Sequence, residues 1–153
     1  MKKIILFLLL FVAIISACEK DDFCLQNPVT PNLVLRFYDN VNRETLKDVS
    51  TIYVWAEGKD TISEFNGTSL DSIYIPLNSL ASETIYNISN GTNVDKFTIE
   101  YTPEATYVSR SCGYKVIFND VTFTSENNWI SDFTPSTLTT IDNQDAAHVQ
   151  IFH

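Results

Sequence analysis

The sequence predicts an all-β fold: a single antiparallel, immunoglobulin-like β-sandwich over residues 31–153, after a cleaved signal peptide. Three observations predict it. From Cys18 onward, 11 Ile, 10 Val and 16 Thr make 37 of 136 residues β-branched, and 17 aromatics stand beside them. Such side chains pack well on a pleated, half-buried surface. Apolar residues also recur at every second position, the period of a strand with one buried face. Turn residues then punctuate the chain at intervals of roughly 8 to 12 residues, the spacing of short strands in a two-sheet sandwich.

At the N-terminus, Met1-Lys2-Lys3 precedes an apolar run from Ile4 to Ala17, shorter than the ~18 to 20 residues a membrane-spanning helix needs. A charged start and a short apolar stretch mark residues 1–17 as a secretory signal peptide. The alternative, a buried N-terminal helix with a core cysteine, would need polar positions at helical spacing, and none lies between Ile4 and Ile15. Ile15-Ser16-Ala17-Cys18 resembles the lipobox of bacterial lipoproteins, which implies cleavage before Cys18 and acylation of that residue, palmitate included. Each buried methylene contributes ~0.8 kcal/mol, so several chains on one residue anchor stably where a single chain would not. Residues 18–30 then form an acylated tether. Glu19-Lys20-Asp21-Asp22 resembles the surface-export signal of Bacteroidetes lipoproteins; a solvated charged linker is the competing reading. The implied location is the outer membrane, lipid-anchored and surface-exposed, with the periplasmic face as alternative.

With Cys18 acylated, Cys24 and Cys112 remain, both in an oxidising compartment, and they are expected to form a disulfide. A nucleophilic Cys112 would need a histidine base beside it. The two histidines, His148 and His153, carry no local signature pointing there.

The elements follow in order. Leu33, Leu35 and Phe37 share one face of the run 32–39, and strands are expected over 51–57, 72–77 and 84–89. Asn90-Gly91 is the clearest hairpin signal, because both residues tolerate positive φ, so 84–89 should pair with 94–101. There Phe97, Ile99 and Tyr101 alternate with Lys96, Thr98 and Glu100. Pro103 is expected to end that strand. Further strands follow over 105–110, 113–118, 121–124 and 147–152, while Gly58-Lys59-Asp60 and Asn66-Gly67 read as turns. Pro135 breaks the segment after Trp129, and 125–133 reads as a loop or a single helical turn.

The segments Cys18-Glu19-Lys20-Asp21-Asp22-Phe23-Cys24, Thr30-Pro31-Asn32-Leu33 running into Arg36-Phe37-Tyr38-Asp39, and Tyr107-Val108-Ser109-Arg110-Ser111-Cys112-Gly113-Tyr114-Lys115 resemble a family of small Bacteroidetes lipoproteins catalogued only as a domain of unknown function. The resemblance spans most of the chain after Cys18. It implies that Cys24 and Cys112 belong together and that the tether is short, and it implies no activity.

Charge narrows the partners. From Cys18 onward, 8 Lys and Arg face 19 Asp and Glu, a balance of −11, which argues against non-specific binding to nucleic acid or to anionic lipid, since phosphate binding draws on clustered cations. Four scattered glycines leave no phosphate-cradling loop. No cofactor or metal is expected: His148 and His153, five residues apart, point to opposite faces of a strand, and the Asp142, Asn143, Gln144, Asp145 cluster lacks the ligand set of a calcium loop. Arg36 is expected to lie over an aromatic and pair with Asp39 or Glu57, as is Arg110 with its own partners. Asp60 and Glu64 are candidate paired carboxylates, with nothing that makes them converge. Tyr53 and Trp55 share one face of their strand, opposite Ile52, Val54 and Ala56. They form either a binding platform for a sugar or a protein or, in the reading sandwiches favour, a core with Trp55 at its centre. Thr61 and Ser72 sit in Asp-Thr-Ile and Asp-Ser-Ile tripeptides that resemble Bacteroidetes O-glycosylation acceptors. The expected function is that of a non-enzymatic accessory or interaction protein of the cell envelope, bound to the membrane by its anchor. The alternative is a small surface glycan- or peptide-binding module.

Overall fold

The computed structural model describes Cys24 and residues 29–153. The expected signal peptide, Cys18 and most of the expected tether lie outside the described residues. Among the described residues, ten strands run in the order β1 (Leu33–Tyr38), β2 (Val49–Ala56), β3 (Asn66–Leu70), β4 (Ser72–Ile75), β5 (Glu83–Ser89), β6 (Val94–Ser109), β7 (Gly113–Ser125), β8 (Asp132–Thr134), β9 (Thr137–Ile141) and β10 (Val149–Phe152), with one short 3-10 turn at Ser63–Phe65. They form two sheets, ordered β4-β1-β10-β8 and β3-β2-β5-β6-β7-β9. Residues 29–106 with 115–153 make one compact unit holding these sheets, and Tyr107–Tyr114 group with Cys24 in a second.

The expected all-β sandwich is present, and alternation explains its interior. Leu33, Leu35 and Phe37 of β1, Ile73 and Ile75 of β4, and Val149 and Ile151 of β10 turn one face inward. Ile52 and Val54, Tyr86 and Ile88, Phe97 and Ile99, and Phe118, Val121 and Phe123 from the larger sheet fill the other side of the same cluster. Each fully buried Leu, Ile or Phe contributes on the order of 1.5 to 3 kcal/mol. Across the core, Phe97 stacks on Phe123 with centroids 5.9 Å apart and meets the edge of Phe133 at 5.6 Å.

Four expectations about strands are corrected. Pro103 does not end its strand; β6 runs on to Ser109. The register with β5 stops at Glu83 opposite Glu100, and Tyr101 N–H donates to the Ser82 carbonyl on that side. Residue 103 presents its nitrogen to the same side, where β5 has already ended, so proline forfeits no ladder bond. Likewise 113–118 and 121–124 are one strand, β7, through Asp120 at φ 52°. The Asn66-Gly67 turn is the start of β3, and β8 and β9 lie where only a break at Pro135 was expected. All three are short strands at the margins of the sheets, and β3 and β9 are largely exposed, so they lack the alternation a half-buried strand shows. Finally, the pairing is not wholly antiparallel, because β1 runs parallel to β10, with Leu35 opposite Val149 and Phe37 opposite Ile151.

The β5–β6 hairpin forms as expected, Ser89 opposite Val94. Its loop spans four residues, in which Asn90 Oδ1 accepts from the amides of Thr92 and Asn93 while Gly91 takes φ 91°. Residues 126–131 form a loop organised by Asp95. That aspartate is fully buried, and its carboxylate accepts from the amides of Asn128, Trp129 and Ile130, the last two at 2.8 Å. Trp129 Nε1 donates to the Ile88 carbonyl at 2.9 Å.

Candidate functional site

Two places concentrate chemistry: a trough across the larger sheet, and the turn that carries the disulfide. The trough is a chain of three adjoining open clefts. One of about 420 Å³ is lined by Ala56, Glu57, Lys59, Leu77 and Ile85 among others. It shares Glu83 with a cleft of about 460 Å³ lined by Glu100, Tyr101, Asp120 and Thr122. A third, of about 330 Å³, continues past Asp120 and Thr122 to Thr137 and Thr139. Strand order makes this continuity, since β2, β5, β6, β7 and β9 are successive neighbours. The lining is carboxylates and threonine hydroxyls on a partly apolar floor, a surface that can accept hydrogen bonds from a polar ligand.

A ring of hydrogen bonds holds the trough's rim. Asn78 N–H donates to Thr84 Oγ1 at 2.9 Å, Thr84 and Tyr101 share a very short hydroxyl contact, and Tyr101 Oη donates to the Asn78 carbonyl at 2.9 Å. Tyr86 Oη donates to the Pro76 carbonyl at 2.6 Å. Burial, reinforced by Tyr101 nearby, pushes the Tyr86 phenol up to about 12, and burial raises Tyr101 too. Both therefore stay protonated at neutral pH and act as structural donors. The Glu57 carboxylate is met by Lys96 Nζ at 2.8 Å, and that contact raises the lysine further.

The residues singled out in the sequence fall as follows. Tyr53 and Trp55 stand on the outer face of β2, half-buried, while Ile52 and Val54 face inward. The core reading of Trp55 is thereby corrected. Tyr53 lies over Gly67, so close that a Cβ there would sit 3.1 Å from its hydroxyl. The tryptophan that packs against the core is Trp129, beside Phe37 and His153. Arg36 pairs with neither expected carboxylate, since Asp39 is taken by Lys47 at 3.4 Å and Glu57 by Lys96. On its sheet's outer face it is Arg43 that lies over an aromatic, 4.3 Å from the Phe152 ring, while binding Asp132 at 2.7 Å.

Asp60 and Glu64 are both exposed, on the turn after β2 and in the 3-10 segment. A backbone amide and the Ser63 hydroxyl hold the Glu64 carboxyl below its ordinary range, the opposite of what a general acid requires. The polar groups of the Asp142–Asp145 turn bond within it and to its neighbours: Asn143 Nδ2 donates to Asp142, Asp145 N–H to Asn143, and Gln144 accepts from Asn32 N–H. Among the described residues, no three His, Cys, Asp or Glu side chains gather as metal ligands. Thr61 is exposed, whereas Ser72 opens β4 with its hydroxyl donating to Asp71.

Neither histidine is a simple surface residue. His148 Nδ1 accepts from Val34 N–H at 2.9 Å, and its Nε2 lies 3.0 Å from the Asn143 carbonyl. His153 packs edge-on against Phe37 and Trp129. Burial lowers both imidazoles below the ordinary 6.5. As pH falls from about 6.5, the unfolded chain takes up protons that the folded protein resists, so stability should drop with pH in that window. Urea midpoints measured between pH 8 and 5 are expected to fall, with His148→Gln flattening the profile. The lowered carboxyls of Asp39 and Asp132, held down by backbone amides and Lys47 and by Arg43 respectively, act only below about pH 4. A flat wild-type profile above pH 5 would contradict this.

At the β6–β7 turn, Cys24 and Cys112 form the expected disulfide, with Cα atoms 4.8 Å apart and a sequence separation of 88. Gly113 follows at φ 74°, the left-handed conformation that lets β7 start directly after the cystine. Ser109 Oγ accepts from Cys112 N–H at 3.0 Å, and Tyr107 meets Tyr114 edge to face at 5.3 Å. Among the described residues, no helix is long and apolar enough to cross a membrane.

A family model described as a family of unknown function, DUF6452, matches residues 51–153. No curated protein and no solved structure matches the chain.

Proposed function

The chain belongs to the DUF6452 family of unknown function, and from that premise we propose that it is a lipid-anchored envelope protein of the Bacteroidetes type, non-enzymatic, serving as an accessory or interaction protein. The observation that carries this reading is the Cys24–Cys112 disulfide. It belongs to an oxidising compartment, and it ties the fold to a point six residues after Cys18, the residue the lipobox-like segment would acylate. A domain stapled at that position is suited to hang from an N-terminal lipid. The trough along the larger sheet is the surface such a protein presents to an envelope partner, and its hydroxyls and carboxylates equally suit a glycan or an extended peptide.

The test uses the full chain in its native cell. Wild type is expected in the membrane fraction with acyl mass on Cys18, and Cys18→Ala is expected to leave that fraction. Protease added to intact cells should then remove the wild-type domain, with a lysed-cell digest as control. Loss on intact cells supports surface exposure and directs the search to external glycans and proteins. Protection, with cleavage after lysis, would refute export and leave a periplasmic partner. An unmodified Cys18 in soluble protein would refute the anchor itself.

A further inference from the structure

We propose that the β6–β7 hairpin tip, Tyr107–Tyr114, docks into the headgroup region of the same membrane that holds the anchor. This rests on the lipid-anchor reading above and adds a contact surface to it. The disulfide fixes Cys24 to Cys112 at the turn itself. Six residues separate Cys18 from Cys24, and a fully extended chain of that length reaches at most ~20 Å. The tip is therefore confined within that distance of the acylated residue, which holds it near the bilayer at high effective concentration.

What the tip displays fits such an interface. Tyr107 is 57% exposed and Tyr114 69%, and the two rings meet across the hairpin at 5.3 Å. An exposed aromatic pair gains nothing from water, but tyrosine is favoured at bilayer interfaces, where the ring enters the apolar boundary and the hydroxyl stays hydrated. The turn between them carries the hydroxyls of Ser109 and Ser111, which can bond to phosphate and glycerol oxygens. From Ala105 to Asn119 there is no Asp or Glu, in a chain carrying −11 after Cys18. Elsewhere the negative surface would be repelled by anionic lipid; here it is interrupted. The tether's Glu19, Asp21 and Asp22 outnumber Lys20 and offset the charge of Arg110 and Lys115. Insertion of the tyrosines, rather than Coulomb attraction, carries the docking, so it should respond weakly to salt.

The test places a tryptophan at the tip. Full-length acylated protein carrying Tyr114→Trp, and separately Tyr107→Trp, is reconstituted into phosphatidylethanolamine and phosphatidylglycerol vesicles with and without bromine on the acyl chains. Flotation and the mass of Cys18 report the anchor independently. The emission added by the new tryptophan, above that of Trp55 and Trp129, is expected to shift blue and to be quenched by roughly half in bromolipid, as for residues at the interfacial belt, and little changed by 0.5 M salt. Protein that floats but whose added emission matches the Cys18→Ala form free in buffer would overturn the docking and leave the anchor standing. Protein that does not float would overturn both.

Discussion

Asp95→Ala is expected to destabilise the protein by about 2 to 4 kcal/mol, because it leaves three backbone donors without their acceptor, that of Ile130 buried and those of Asn128 and Trp129 part-buried. The carboxylate is fully buried and accepts from the amides of Asn128, Trp129 and Ile130. Those amides belong to the loop that brings Trp129 onto the core and Ile130 into it. Asp95 and Ile130 are fully buried, so for the Ile130 amide the penalty is its desolvation cost rather than the net worth of an ordinary hydrogen bond. Asp95→Asn keeps one acceptor oxygen and should cost roughly half as much. Urea unfolding followed by tryptophan fluorescence measures both. A loss under about 1 kcal/mol for the alanine variant would mean that packing of Trp129 and Ile130 positions the loop and that the carboxylate follows.

Removing the disulfide is the second large effect. The cross-link closes a loop that contains β1 to β6, and a loop of ~90 residues removes chain entropy from the unfolded state equivalent to roughly 4 to 5 kcal/mol, an upper bound. The Cys24→Ser/Cys112→Ser variant should unfold at a correspondingly lower urea concentration, and wild type in reductant should match it. An oxidised and a reduced protein with the same midpoint would instead show that the cystine constrains only the tip and the tether, outside the cooperative unit.

Much of the fold was legible because a buried face writes its period into the chain. Phe97, Ile99 and Tyr101 against Lys96, Thr98 and Glu100 separate inside from outside with no further information, whereas Ile52 and Val54 against Tyr53 and Trp55 are two apolar faces whose order alternation leaves open. The same alternation contained a signal that passed unread. Asp95 falls in phase with Phe97 and Ile99, and a carboxylate in the apolar phase must be buried against donors. The three misread strands, β3, β8 and β9, lie at sheet margins, where most side chains meet water on both faces and no period is imposed. Pro103 was read as a strand end because its effect depends on whether a neighbour needs its N–H, and that neighbour, β5, had already stopped.

The all-β class and the inward phase of β1 and β6 follow from local period alone, and the pairing of Cys24 with Cys112 follows once the lipobox-like segment sets Cys18 aside. The parallel placement of β1 beside β10, the packing of Trp129 rather than Trp55 against the core, and the gathering of Glu57, Glu83, Glu100 and Asp120 along adjoining clefts emerge in three dimensions. Those outcomes depend on contacts between residues far apart in the chain, which are chosen by the packing of whole sheets and leave no mark on any single segment.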